Sequence, residues 1–191
     1  MKYILRLSPN FEVRKKRKIK YILIHYTNLP STKISLEYLL NKKNKVSSHY
    51  LVNPQGKIYS LVKEKNIAWH AGISSWKDDK NLNKNSIGIE LQNSGVAGTY
   101  EKFSNMQILI LEKLIKKIQT QHGVLNSNVL GHSDIAPDRK IDPGPKFPWR
   151  RLFNKNIGIM PKLLKPKSTQ NISSKQIKSL QSLLKEFGYK L

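Results

Sequence analysis

Residues 19–26 read Ile-Lys-Tyr-Ile-Leu-Ile-His-Tyr, and this stretch decides the fold of the chain. Its β-branched and aromatic residues have the profile of a central strand that is buried on both faces. His25 lies near the end of the run. A histidine there can deliver a rigid ligand to the edge of a sheet, although a hydrogen-bonded core histidine is the more frequent role.

The segments that follow predict a helix and a hairpin. Ser31 or Thr32 can cap a helix with three leucines on one face, namely Leu36, Leu39 and Leu40. We expect that helix to cover the sheet. Residues 47–52 and 57–62 are strand-like and flank Asn53-Pro-Gln-Gly, whose Pro and Gly positions are typical of a type I turn.

The second half of the chain predicts two further strands and a long helix. Residues 86–91 and 129–131 are apolar and strand-like. Ser104 and Gln107 form a capping-box pattern, and Gly123 suits the end of the helix that they begin. The apolar face of this helix carries Ile108, Leu111, Leu114, Ile115 and Ile118.

The composition predicts one soluble domain with a short appendage in 191 residues. No apolar segment approaches the roughly 20 residues that span a bilayer, and the apolar stretch in residues 1–7 is too short and interrupted for a signal peptide. There is no cysteine. A disulfide framework is therefore excluded, and any metal ion would have to be bound by His, Asp or Glu.

The formal net charge of +23 favours anionic partners or reflects a solvated, lysine-rich surface. The densest basic cluster is Arg14-Lys-Lys-Arg-Lys18 with Lys20, which suits phosphate contact, a localisation signal or a solvated lead-in to the first strand. The basic residues are scattered and no nucleic-acid motif accompanies them. We therefore expect a solvated surface and no nucleic-acid partner.

Residues 129–145 combine a histidine, a lysine and several aspartates in a loop with three prolines. Proline restricts the backbone, so these side chains are held in place. His132 and Asp142 could meet if the loop turns back at Pro143-Gly-Pro145, and they could share a metal with His25. Three protein ligands with an open position are typical of catalytic zinc, although residue types alone leave iron open.

Two other features have competing interpretations. Glu90 interrupts an apolar strand, so its carboxylate faces either solvent at the rim of the sheet or a functional cleft, and the cleft is favoured. Trp69 and His70 lie together in a loop without periodicity. Trp69 could cap the core, or the pair could stack against a sugar or a peptide.

Six ordered motifs between Ile19 and Trp149 are similar to those of one known family. They are Ile-Leu-Ile-His25-Tyr-Thr, Ser-Ser-His49-Tyr-Leu-Val, Ala-Trp69-His70-Ala-Gly, Asn85-Ser-Ile-Gly-Ile-Glu90-Leu, Gly-His132-Ser-Asp-Ile-Ala-Pro, and Arg139-Lys140-Ile-Asp142-Pro-Gly-Pro with Phe147-Pro-Trp149. The chain resembles the zinc-dependent N-acetylmuramoyl-L-alanine amidases related to the peptidoglycan recognition proteins. The resemblance implies an α/β (α+β) fold with a mixed central sheet flanked by helices and zinc in a surface groove.

The resemblance also implies a role for each matching residue. The zinc ligands would be His25, His132 and Asp142. Glu90 would be the general base, and Lys140 would stabilise the oxyanion of the tetrahedral intermediate. The substrate contacts implied are Ser48, His49, Trp69 and His70.

The implied reaction is hydrolysis of the amide between the lactyl group of N-acetylmuramic acid and the L-alanine of the stem peptide. The substrate would be peptidoglycan or an (anhydro-)muropeptide, and we expect a monomer. Some relatives have a catalytic tyrosine where this chain has Ser48, so that role would rest on Glu90. Relatives that only bind peptidoglycan lack the third ligand, so Asp142 favours an enzyme over a non-catalytic muropeptide-binding module.

The chain is thus divided into three parts: residues 1–18 as a basic N-terminal arm, 19–160 as the zinc amidase domain, and 161–191 as a linker and amphipathic helix. The helix carries Ile177, Leu180, Leu183 and Leu184 on one face and resembles the start of a peptidoglycan-binding module. One such helix cannot bury its own apolar face, so it either docks on the domain or needs the rest of a module. The implied location is the periplasm or cell envelope; with no signal peptide evident, the cytoplasm is the alternative.

Overall fold

The computed structural model describes residues 1–15, 18–95, 101–161 and 172–190. Its strands are β1 (Tyr3–Leu5), β2 (Phe11–Val13), β3 (Tyr21–Tyr26), β4 (Tyr50–Val52), β5 (Ile58–Ser60), β6 (Asn66–Ala68), β7 (Ser75–Trp76), β8 (Asp79–Lys80), β9 (Ser86–Leu91) and β10 (Val129–Gly131). Its helices are α1 (Thr32–Leu40), α2 (Asn105–His122), α3 (His132–Ile135), α4 (Trp149–Phe153) and α5 (Ser174–Phe187).

A mixed sheet with the strand order β1-β5-β4-β9-β3-β10 forms the centre of the described part. Strand β3 is parallel to both of its neighbours, β9 and β10, and β4 is parallel to β9 but antiparallel to β5. All six residues of β3 are buried, as predicted for a central strand. The predicted mixed sheet and the hairpin between β4 and β5 are confirmed.

The two faces of the sheet pack against different partners because successive side chains of a strand point to opposite faces. Ile22 and Ile24 of β3 join the main core with the apolar face of α2. Tyr21 and Leu23 face the other way and pack with Trp76. His25 therefore belongs to the face opposite α2, where Leu39 of α1 covers another part of the sheet.

The helix caps agree with the sequence except in one detail. The Ser31 hydroxyl accepts a hydrogen bond from Ile34 N–H, and the Ser104 hydroxyl accepts one from Gln107 N–H. Gly123 ends α2 with a left-handed φ of 67°. The side chain of Gln107 does not complete the predicted capping box. It is buried and donates instead to the carbonyls of Val52 and Gln92.

Residues 1–18, expected to be an arm, contribute two strands instead. Strand β1 pairs in parallel with β5 at the edge of the sheet, and β2 pairs with β6. Each is only three residues long, too short to produce a periodic pattern in the sequence. Arg14 turns inward and donates to the carbonyls of Glu64, Lys84, Asn66 and Ser86. It is therefore not available for phosphate contact; Lys16 and Arg17 lie outside the described residues.

The predicted C-terminal helix is present as α5, and it contacts the domain through its end. Ile177, Leu180 and Leu183 are each about half exposed, at 46%, 53% and 59%. The rings of Phe187 and Tyr189 pack edge-on against Trp76, with centroids 5.8 and 4.9 Å from it. The predicted linker falls mainly on residues 162–171, which lie outside the described residues. Among the described helices, none is long and apolar enough to cross a membrane.

Candidate metal centre

Three parallel strands bring residues from distant parts of the sequence to one edge of the sheet. In the register of β3 and β9, His25 is the direct partner of Glu90. In the register of β3 and β10, Gly131 is the partner of Ile24, and His132 follows as the first residue of α3. Since the carboxyl ends of parallel strands lie at the same edge, these three side chains start from neighbouring positions.

The loop after α3 returns to this edge and adds Asp142. His25 Nδ1 lies 2.9 Å from His132 Nδ1 and 3.1 Å from Asp142 Oδ2, and His132 Nδ1 lies 3.2 Å from the same carboxylate oxygen. All three residues are buried. The loop turns back as its prolines and glycine predicted, and the structure brings the three predicted ligands together.

The protonation of these groups suits a cation. Burial, together with the neighbouring His132, lowers the pKa of His25 to about 4, so its imidazole is neutral near pH 7. Burial alone would raise the pKa of Asp142, but its interactions with His132 and His25 hold the pKa well below its usual range. A neutral imidazole and an ionised carboxylate are the forms that bind metal ions.

The donor set also fits a metal by its geometry. The Nε2 atom of His25 faces His70 Nδ1 at 3.1 Å, and that of His132 faces the carbonyl of Ala71 at 3.1 Å. With the ring protons on Nε2, both Nδ1 lone pairs point at each other and at the carboxylate. The three ligand atoms lie within 4.8 Å of one another, and their separations are near the roughly 3.3 Å expected between ligands of a tetrahedral zinc site.

A cavity of about 510 Å³ opens over this cluster, and Glu90 and Lys140 lie in its wall. Burial and the negative charge of Asp142 raise the pKa of Glu90 to about 8, although Lys140 acts in the opposite direction. One oxygen of Glu90 is buried and has no hydrogen-bond partner among the described residues. The five residues predicted as ligands or catalytic groups therefore share one cavity.

The four predicted substrate contacts are not all at this cavity. His70 lies in its wall. Ser48 and His49 are fully buried; the Ser48 hydroxyl donates to the carbonyl of Tyr50, and His49 Nδ1 accepts from Gly88 N–H. Their side chains stabilise the backbone inside the fold, so the geometry does not support direct substrate contact. Trp69 is half-buried and donates to Glu12.

Two other groups contact the ligands or line the cavity although the sequence analysis did not assign them. The carbonyl of Ala71 accepts from His132 and also from Arg139 Nη2, at 2.5 Å. Arg139 reaches into the cavity wall as well. A backbone carbonyl leaves no side-chain signal in a sequence. Arg139, in contrast, could have been predicted as a site residue because it precedes Lys140 in the last motif.

The sequence and the fold were compared with known proteins. The Amidase_2 family model, described as N-acetylmuramoyl-L-alanine amidase, matches residues 15–145. N-acetylmuramoyl-L-alanine amidase AmiD of Escherichia coli K12 is 44% identical over 158 residues, which cover 75% of this chain and 55% of AmiD. The 1,6-anhydro-N-acetylmuramyl-L-alanine amidase AmpD of Haemophilus influenzae is 32% identical over 166 residues, covering 77% of this chain and 88% of that protein.

A solved structure of Escherichia coli AmiD in complex with the substrate anhydro-N-acetylmuramic acid-L-Ala-D-γ-Glu-L-Lys is similar to this fold. Its TM-score is 0.79 at 39% identity, and the alignment covers 91% of this chain and 72% of that one. The chain spans about half the length of most of the curated relatives that it matches. The family match over residues 15–145 and the agreement in fold lead to one conclusion: this chain belongs to the N-acetylmuramoyl-L-alanine amidase family.

Proposed function

We propose that the chain is a zinc-dependent amidase that cleaves the bond between the lactyl group of N-acetylmuramic acid and the L-alanine of the stem peptide. The observation that carries the proposal is the convergence of His25, His132 and Asp142 beside Glu90 in an open cavity. The names of the relatives support the bond, since AmiD and AmpD are both described as muramyl-L-alanine amidases.

Hydrolysis of an amide needs an activated nucleophile, a polarised carbonyl and a proton for a poor leaving group. His25, His132 and Asp142 would hold zinc, an N, N, O donor set that leaves one position open. When bound, zinc supplies Lewis-acid chemistry, polarising a carbonyl and lowering the pKa of a water to about 7. The donor set is also compatible with iron, so the metal identity is part of the proposal.

Glu90 is proposed to move the protons. Its pKa, raised to about 8 by burial and by Asp142, lies near neutral pH, where a carboxylate can both accept and return a proton efficiently. It would take a proton from the attacking water and deliver it to the leaving nitrogen. Glu90 lines the cavity, and one of its carboxylate oxygens has no competing hydrogen bond among the described residues.

Lys140 is proposed to stabilise negative charge as it develops on the carbonyl oxygen. Lys140 lines the same cavity and is half-buried, and a charge interaction there is stronger than in bulk water. It has no anionic partner within salt-bridge distance among the described residues. Arg139 and the rest of the cavity wall would orient the peptide part of the substrate.

The proposed substrates are muropeptides, including the anhydro form, and the corresponding bonds in peptidoglycan. AmiD has been solved with an anhydro-muropeptide, and this chain aligns with 72% of it. All five proposed ligand and catalytic residues come from one chain, which supports action as a monomer.

We further propose residues 19–160 as the catalytic domain and residues 161–191 as a linker with the first helix of a peptidoglycan-binding module.

We infer a location in the cell envelope because the polymeric substrate lies there. Cell fractionation followed by immunodetection of the protein tests this inference. Recovery in the cytoplasmic fraction alone would contradict it and would favour soluble muropeptide fragments as the substrate.

The test of the activity uses a defined disaccharide-tetrapeptide and its anhydro form, with products identified by mass spectrometry. Samples are compared as purified, after chelation, and after repletion with zinc or with ferrous iron. Release of free tetrapeptide that is lost with chelation and restored by zinc is the expected result. Restoration by iron alone would overturn the zinc assignment, and retention of uncleaved ligand in the presence of bound zinc would indicate a binding module.

A further inference from the structure

The segment Trp69–Ala71 lies directly behind the two metal-binding imidazoles. His25 Nε2 faces His70 Nδ1 at 3.1 Å, and His132 Nε2 faces the carbonyl of Ala71 at 3.1 Å. Two consecutive residues of one loop therefore contact both histidines on the side away from the metal-binding atoms. The orientation of this loop determines where both Nδ1 lone pairs point.

A chain of buried hydrogen bonds determines which residue donates in the contact between His25 Nε2 and His70 Nδ1. The Ser86 hydroxyl donates to the carbonyl of Leu82 at 2.6 Å, so its oxygen is an acceptor toward His70 Nε2 at 3.3 Å. The proton of His70 is thereby placed on Nε2, and its Nδ1 must accept. His25 consequently donates from Nε2, which leaves its Nδ1 with a lone pair for the metal.

Asn83 holds the backbone of this segment. Its side-chain oxygen accepts hydrogen bonds from the N–H groups of both His70 and Ala71, at 3.0 and 2.7 Å. Ser47 holds the preceding residue, since its hydroxyl accepts from Trp69 N–H at 2.9 Å. One carboxamide oxygen thus anchors the two residues that contact the ligands.

The ring of His70 is also held by close packing against the central sheet. A Cβ atom at Gly88 of β9 would lie 2.4 Å from Cγ of His70, which is closer than real contacts allow. Only glycine lets the imidazole approach the strand at this point. His70 is buried between β9 and His25, so its position is determined on both sides.

We propose that Asn83 is a positioning residue for the metal centre, acting through His70 and Ala71 to fix both histidine ligands with their protons on Nε2. The inference rests on the proposed metal site and goes beyond it, because Asn83 contacts neither metal ligand. Groups that orient metal-binding histidines typically contribute about 10-fold to 100-fold in metal affinity. Asn83 exerts that effect through two backbone N–H groups.

The test measures the zinc dissociation constant by competition with a chromophoric chelator, together with the melting temperature of the metal-free protein. Asn83→Ala removes the shared acceptor, whereas Asn83→Asp keeps an oxygen in its place. Asn128→Ala is the matched control, because Asn128 is also half-buried and bonds a backbone group, the carbonyl of Lys20, at the other end of β10. Ser86→Ala provides a second, smaller change at the far end of the same network.

We expect Asn83→Ala to weaken zinc binding by about tenfold or more, with Asn83→Asp close to wild type and the control unaffected. Ser86→Ala should weaken binding in the same direction. Zinc affinity within about twofold of wild type in Asn83→Ala and Ser86→Ala would overturn the inference, whatever happens to the melting temperature. Failure of the wild-type protein to bind zinc would instead overturn the proposed function on which the inference rests.

Discussion

Glu90 and Asp142 are carboxylates beside the same cavity, yet their environments shift their pKa values in opposite directions. Asp142 lies against the imidazoles of His25 and His132, and its interactions with them outweigh the effect of burial and keep it ionised. Burial and the charge of Asp142 raise the pKa of Glu90 to about 8, and one of its carboxylate oxygens has no hydrogen-bond partner among the described residues. Environments that push the pKa values of two neighbouring carboxyl groups apart give the two groups different chemical roles.

Substitution of the two carboxylates should separate metal binding from turnover. We expect Asp142→Ala to lose both zinc and activity, because it removes one of three ligands. Glu90→Ala should keep zinc and lose about 100-fold or more of kcat, since general base catalysis typically contributes that much. Metal analysis of the dialysed variants and steady-state kinetics check the pair. Normal turnover in Glu90→Ala would refute its assignment as the base.

The pKa of Glu90 also predicts how the stability of the metal-free protein depends on pH. At pH values between 4.5 and about 8, the carboxyl group of Glu90 is ionised in the unfolded chain but still protonated in the folded chain. The free energy of unfolding therefore decreases as the pH rises through this range. Gln cannot ionise. We therefore compare the change in melting temperature that Glu90→Gln causes at two pH values. The change at about pH 8 should be more positive than the change at about pH 4 by at least about 2 °C. An equal effect at both pH values would contradict the raised pKa.

At the scale of the elements, the sequence predicted the helices and strands that have a clear periodicity, a cap or a turn motif. The buried run of β3, the capped helices α1 and α2, and the hairpin of β4 and β5 were all present in the sequence as periodicity, caps or turn residues. The three proposed ligands lie at a strand end, a strand-to-helix junction and a proline-rich loop, and the family motifs at these positions indicated them in the sequence. Strands β1 and β2 were missed because, unlike β4 and β5, they do not lie in longer strand-like runs beside a turn motif.

The inner surroundings of the site could not be read from the sequence. Ser48 and His49 stand in a motif beside other candidate site residues, yet both side chains point into the fold. The supports of the ligands are the carbonyl of Ala71 and the side chain of Asn83, whose roles arise only when the loop and the turn after β8 are folded together. Burial and backbone contacts of this kind depend on tertiary structure.

The contact of α5 with the domain depends on a glycine. Gly188 has a φ of 139°, and a Cβ there would lie 2.8 Å from the ring of Trp76. We expect Gly188→Ala to weaken the packing of Phe187 and Tyr189 on Trp76 and to speed tryptic cleavage in α5, with zinc affinity unchanged. Limited proteolysis followed by mass spectrometry measures this.

Gly123→Ala is the matched control for that experiment. Gly123 also ends a helix with a positive φ, but no heavy atom lies within 4 Å of the position of a Cβ. The substitution should therefore strain the end of α2 without releasing α5. Equal cleavage of α5 in the two variants would show that the Trp76 contact does not hold the helix.

For the whole molecule, the net charge of +23 predicts how it interacts with a carboxylate-bearing polymer. Binding to isolated peptidoglycan should fall steeply between about 0.05 M and about 0.5 M salt, because screening shortens the range of attraction between exposed charges. Hydrolysis of a small muropeptide should depend on salt less. Co-sedimentation measures binding, with uncharged chitin as the control polymer. Retention that is independent of salt would contradict a role for charge.

The ligands His25 and Asp142 are 117 residues apart in the chain, although their ligand atoms are 3.1 Å apart in the fold. His25 lies on β3, which pairs in parallel with β10, and the loop that carries Asp142 follows β10 and α3. Parallel pairing requires a long crossover connection, and such non-local contacts slow folding. During synthesis, the nascent chain has no complete ligand set until residue 142 has left the ribosome. The proposed zinc site is therefore complete only after β3 and β10 have paired, and uptake of the ion would report that this part of the sheet has assembled.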